Sequence, residues 1–136
     1  MKRDATRDAM EAALARAGAT LVAHAANGGC GCGTCGAPDE WCWSMDCLRS
    51  YMKFGQAMPT ANALAAMRRV TGLTALIPVE SIRQVVAFRS VAAALKPLSG
   101  WGILRRQLGP DRSTLKRWHE DGLEFIASEL RRQGGG

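Results

Sequence analysis

An all-α fold is predicted by three features of the chain. Apolar residues make up 47% of its 136 positions and are mostly Ala, Leu, Val and Met, while aromatic residues amount to only 6%. Such a composition favours helices over strands. Apolar positions recur at intervals of three and four residues, and Gly or Pro interrupts the recurrence at several points.

Taken in chain order, the first helix is expected from about Asp4 to His24. Met10, Ala13, Leu14, Ala17 and Leu21 form its apolar stripe, and Asn27, Gly28 and Gly29 end it. The stretch GGCGCGTCGAPDEWCWSMDC follows, in which Gly and Pro argue for a loop. A helix is expected to resume at Cys42 or Ser44 and run through Tyr51 and Phe54 until Gly55 and the Met58-Pro59 step. Thr60 caps the next helix, whose stripe is Leu64, Met67, Val70 and Leu73 with Arg68 and Arg69 facing outward. Pro78 and Glu80 open a further helix carrying Ile82, Val85, Val86, Val91 and Leu95, and Lys96-Pro97 closes it. These runs divide the chain into residues 1–58, an N-terminal helix plus cysteine-rich loop, residues 59–133, a helical region, and a tail at 134–136.

The last third carries the most specific pattern, WGILRRQLGPDRSTLKRWHEDGLEFI. A short helix with Ile103, Leu104 and Leu108 is followed by Gly109, which suits a backbone turn of positive φ. Pro110 starts the turn without needing an N–H, and either Asp111 or Ser113 can cap the following helix, whose Leu115, Trp118, Leu123 and Ile126 would pack inward. A helix-turn-helix over residues 101–130 is therefore expected. Arg112, Ser113, Thr114, Lys116 and Arg117 would face DNA from the second helix, with Arg105 and Arg106 on the first helix touching the backbone. His119 could contact phosphate, but on a polar helix face it reads as solvated.

Charge supports a polyanionic partner. The chain holds 18 Lys and Arg against 12 Asp and Glu, a formal net charge of +6. The excess is local: Lys96, Arg105, Arg106, Arg112, Lys116 and Arg117 share the span from Lys96 to Trp118 with a single acid, Asp111.

Residues Trp101 to Arg131 resemble region 4 of bacterial sigma factors and related regulators. Trp101 stands where an aromatic opens the first helix, Gly109 where a Gly ends it, and Ser113-Thr114-Leu115-Lys116 where the recognition helix begins. More broadly, PTANALAAMRRVTGL through SELRR resembles small helix-turn-helix proteins of phages and prophages. The resemblance implies a DNA-binding transcription regulator acting on double-stranded DNA. Two alternatives are an antitermination or appropriation factor that binds RNA polymerase, and a DNA-packaging subunit of the small-terminase kind on a homo-oligomer. Pro110 and Asp111 depart from the family's usual residues, and the cysteine stretch has no counterpart in it.

The N-terminal sequence mixes both charge signs and lacks the apolar run of a secretory signal or membrane span, so a cytoplasmic protein is expected. In a reducing compartment, five cysteines between Cys30 and Cys47 point to metal rather than to disulfides. Cys32 and Cys35 form a CxxC pair suited to structural zinc, Zn²⁺, with Cys42 and Cys47 as the other ligands and Cys30 as a substitute. His24 is a more distant candidate. Catalytic zinc is not expected, since the H-x-E and P-C-x-x-C motifs of deaminases are absent, and Glu40 reads as a loop acid. Trp41 and Trp43 read as packing residues beside Cys42. No nucleophile–base pair, phosphate loop or paired carboxylates can be named, which argues against an enzyme.

Overall fold

The computed structural model describes residues 5–28, 36–52, 57–95 and 100–134. Among them are six α-helices and no strand: α1 (Ala5–Ala26), α2 (Asp39–Leu48), α3 (Ala61–Gly72), α4 (Glu80–Ala93), α5 (Trp101–Leu108) and α6 (Arg112–Gly134). Single 3₁₀ turns at Arg49–Tyr51 and Leu73–Leu76 extend α2 and α3. No described helix is long and apolar enough to cross a membrane.

α4 is the centre of the molecule because its sequence is apolar around most of its circumference. Val85, Val86, Ala87, Phe88 and Val91 are all fully shielded, and the helix packs against α1, α2 and α6 together. From α1 come Met10, Leu14, Ala17 and Leu21, as their spacing implies. One apolar cluster joins these residues to Trp41 and Leu48 of α2, Met67 of α3 and Leu115, Leu123 and Ile126 of α6. The division expected at residue 58 therefore does not separate two cores.

The second helix begins earlier than the spacing suggested. Pro38 sits at its N-cap with φ −60°, and Asp39 and Glu40 occupy the first turn, where carboxylates meet the positive end of the helix dipole. Half of the supposed loop is thus helical, and the helical turn stops at Tyr51, with Met52 extended. Phe54 and Gly55 lie outside the described residues. Trp41 is fully buried and its indole Nε1 donates to Thr74 Oγ1 at 3.2 Å. Trp43 packs on Phe88 with ring centroids 5.9 Å apart. Glu40 is a helix residue paired with Arg83 at 3.5 Å, so its reading as a loop acid is corrected. Thr60 caps α3 as expected, accepting from the Ala63 amide at 3.0 Å.

α1 and α4 approach so closely that only a glycine fits at the crossing. A Cβ at Gly18 would lie 2.3 Å from the Ser90 carbonyl oxygen, a backbone atom that cannot swing aside. Gly18→Ala is expected to destabilise the fold by about 2–3 kcal/mol through overpacking. The measurement is the urea midpoint, which should fall with little change in slope. An unchanged midpoint would mean that the two helices do not cross there.

Candidate nucleic-acid interface

The turn between α5 and α6 is built by three adjacent residues. Gly109 has φ +100°, a conformation costly for any residue with a Cβ, and its amide donates to the Arg105 carbonyl at 2.8 Å, closing α5. Pro110 follows. Asp111 then caps α6, its Oδ1 accepting from the Thr114 amide at 2.9 Å. Of the two candidate caps, Asp111 rather than Ser113 holds the position. Its carboxyl is held below the usual carboxylate range first by the Thr114 amide, then by the Thr114 hydroxyl, with Arg105 and Arg117 adding to the effect. A group whose pKa is lowered by folding contributes stability above its unfolded value, and that contribution is lost as pH falls through the folded value. Asp111→Ala should lower the melting temperature at neutral pH. The difference from wild type should vanish in strong acid, and a difference that persists there would contradict the capping role.

On α6, Arg112, Ser113, Lys116 and Arg117 are exposed and recur as one face at spacings of four. Thr114 is half-buried beneath them, where its amide and hydroxyl serve the cap. Leu115, Leu123, Ile126 and Ala127 point the other way and are fully shielded, with Trp118 half-buried. Arg105 and Arg106 are exposed in the last turn of α5. The structure thus brings the DNA-facing candidates together around a single helix N-terminus. None of the five cations is paired with a carboxylate among the described residues, whereas in the C-terminal half of α6 Arg131 pairs with Glu124 at 3.0 Å and Arg132 with Glu129.

The face rests on a second cluster that spacing did not reveal. The Arg89 guanidinium lies over the Trp101 ring at 4.3 Å, and the Lys116 ammonium reaches the same ring at 6.0 Å. His119 meets Trp101 edge-on with centroids 6.4 Å apart. The expectation of a solvated His119 is corrected: α1 and α4 cover it, and its Nδ1 is shielded without a hydrogen-bond partner. Burial, then Arg89 and Arg7, lower its pKa from 6.5 to about 4. Arg7 also pairs with Glu120, tying α1 to α6. A signal for Arg89 does exist in the sequence, since it is the one charge in the run VVAFRSVAAAL.

Of the expected metal ligands, Cys30, Cys32 and Cys35 lie outside the described residues. Cys42 is buried in the core and Cys47 half-buried on α2. Five residues along one helix place them about 7.5 Å apart axially and about 140° around it, a poor pair for one tetrahedral ion while α2 stays wound. The Cys47 thiol is pushed up by burial and by Asp46, which disfavours the thiolate. No group of three or more potential ligands occurs among the described residues, and His24 stands in the last turn of α1.

No family model, no curated protein and no solved structure matches the chain.

Proposed function

We propose that the protein binds double-stranded DNA by placing the N-terminal turns of α6 in the major groove, with α5 lying across the phosphate backbone. The observation that carries this reading is the unpaired cluster of Arg105, Arg106, Arg112, Lys116 and Arg117, exposed on one side of a capped helix start. Asp111 lies in the field of Arg105 and Arg117 but forms no ion pair with them, and its carboxylate accepts from the Thr114 amide, so the cations remain able to replace a counterion at a phosphate or to pair with a guanine edge. The dipole of a 23-residue helix adds to the attraction for phosphate, although the Thr114 amide is taken by Asp111. The resemblance to sigma region 4 makes transcription regulation of the phage or prophage kind the proposed role.

The test is anisotropy of a labelled duplex across salt concentrations. With five phosphates neutralised, log affinity should fall against log salt with a slope of about −4.5. A slope near zero would remove the reading. Binding only in the presence of RNA polymerase would favour a polymerase-directed factor, and a ring-sized mass in solution a packaging subunit.

Structural zinc is proposed on the CxxC spacing of Cys32 and Cys35. Metal analysis of the purified chain should find about one equivalent of zinc, and a metal-free protein of unchanged stability would dismiss it.

A further inference from the structure

The cationic face of α6 runs into an acid. Ser113, Lys116, Arg117 and Glu120 stand at i, i+3, i+4 and i+7, so they share one side of the helix, and all four are exposed. Glu120 is therefore placed to pair with Arg117 three residues before it or with Lys116 four residues before it. Among the described residues it pairs with neither. Its carboxylate is taken by Arg7, from the first turn of α1. Arg7 is the more buried partner, with 28% of its side chain exposed against 55% for Glu120, so the packing of α1 on α6 holds it in place. Its charge is also felt at His119, the residue before Glu120. Lys116, left without Glu120, reaches the Trp101 ring at 6.0 Å. Glu124, one turn further along α6, is held by Arg131 at 3.0 Å. Both of these acids are thus occupied by arginines that lie outside the DNA-facing cluster.

We propose that Arg7 is a positioning residue for the nucleic-acid interface: by holding Glu120 it keeps Lys116 and Arg117 free for phosphate, and so couples the first turn of α1 to DNA affinity. The inference rests on the DNA-facing reading of α6. Without Arg7, an ion pair with Glu120 would compete with phosphate for either cation, and an uncompensated carboxylate would stand within a Debye length of the DNA backbone. An exposed pair on one helix is weak, so the expected loss of affinity is modest, roughly threefold.

The experiment compares wild type, Arg7→Met, Glu120→Gln and the double variant by duplex anisotropy at low salt, and follows the Trp101 indole N–H of each free chain by NMR. Arg7→Met removes the charge and keeps an apolar stem in the α1–α6 contact; Arg7→Gln serves if that variant does not fold. Loss of the Arg7 charge should weaken binding roughly threefold and shift the indole signal as Lys116 turns from the ring toward Glu120. Adding Glu120→Gln should restore both affinity and signal. A purely structural role for Arg7 would not allow that rescue, since the α1–α6 ion pair is lost either way. Arg7→Lys, which keeps the charge, should bind like wild type, and Glu120→Gln alone at least as tightly. No weakening by Arg7→Met, equal weakening with and without Glu120, or weakening by Glu120→Gln alone would overturn the proposal. If wild type itself fails to bind the duplex, the DNA-facing reading falls, and the indole signals then decide whether Arg7 governs Lys116: a shift that Glu120→Gln reverses supports it, and no such shift overturns it.

Discussion

Replacing Arg112, Lys116 and Arg117 together with alanine is expected to weaken duplex binding roughly 100-fold. Loss of about 1 kcal/mol for each removed contact gives about 3 kcal/mol, and each 1.4 kcal/mol is a factor of ten. The salt slope should become shallower by about 2.7, the share of three phosphate contacts, if all three cations meet phosphate. A smaller change in slope with the same loss of affinity would assign some of them to base edges. These side chains are exposed, and the contacts they do make, Arg117 with the field of Asp111 and Lys116 with the Trp101 ring, are peripheral, so the variant should stay folded with only a small fall in melting temperature. Equal affinity of the two proteins would show that α6 does not face DNA.

The second large effect is acid destabilisation through His119. In the folded chain its pKa is lowered to about 4 from 6.5, first by burial and then by Arg89 and Arg7. Between those values the unfolded chain binds a proton that the folded chain refuses. Stability is therefore full above about pH 6.5 and falls as the pH drops toward 4, by roughly 3 kcal/mol over the window. His119→Gln keeps a polar side chain of similar reach but cannot take up the proton. Urea midpoints measured at about pH 7 and about pH 4 should diverge, wild type falling much further than the variant. Parallel falls would assign the acid sensitivity to carboxylates instead. This window lies above the range in which Asp111 loses its cap, so the two contributions separate along the pH axis.

Most of what local chemistry determines was legible from the residues. The stripe of α1, the Thr60 cap, the glycine turn at Gly109 and the cationic face from Arg112 to Arg117 each depend on neighbours within a few positions. The start of α2 was misread because Gly36 and Pro38 suggest a loop. Yet Pro38 followed by Asp39 and Glu40 is also a helix start, and burial of Trp41 against Thr74 settles which reading the chain adopts. His119 was misplaced for a different reason. Its neighbours on α6 are polar, and the helices that cover it, α1 and α4, lie far away in sequence. Arg89 stands out as a single charge among apolar residues, but its partner Trp101 is defined only by the packing of α4 on α5.

The most direct test of the DNA-facing assignment is a map of backbone amide shifts as a short duplex is added to the labelled protein. Saturable changes should concentrate at Arg105, Arg106 and the first two turns of α6, from Arg112 to His119. Changes confined to α1, α2 and α3, or no saturable change at low salt, would contradict it.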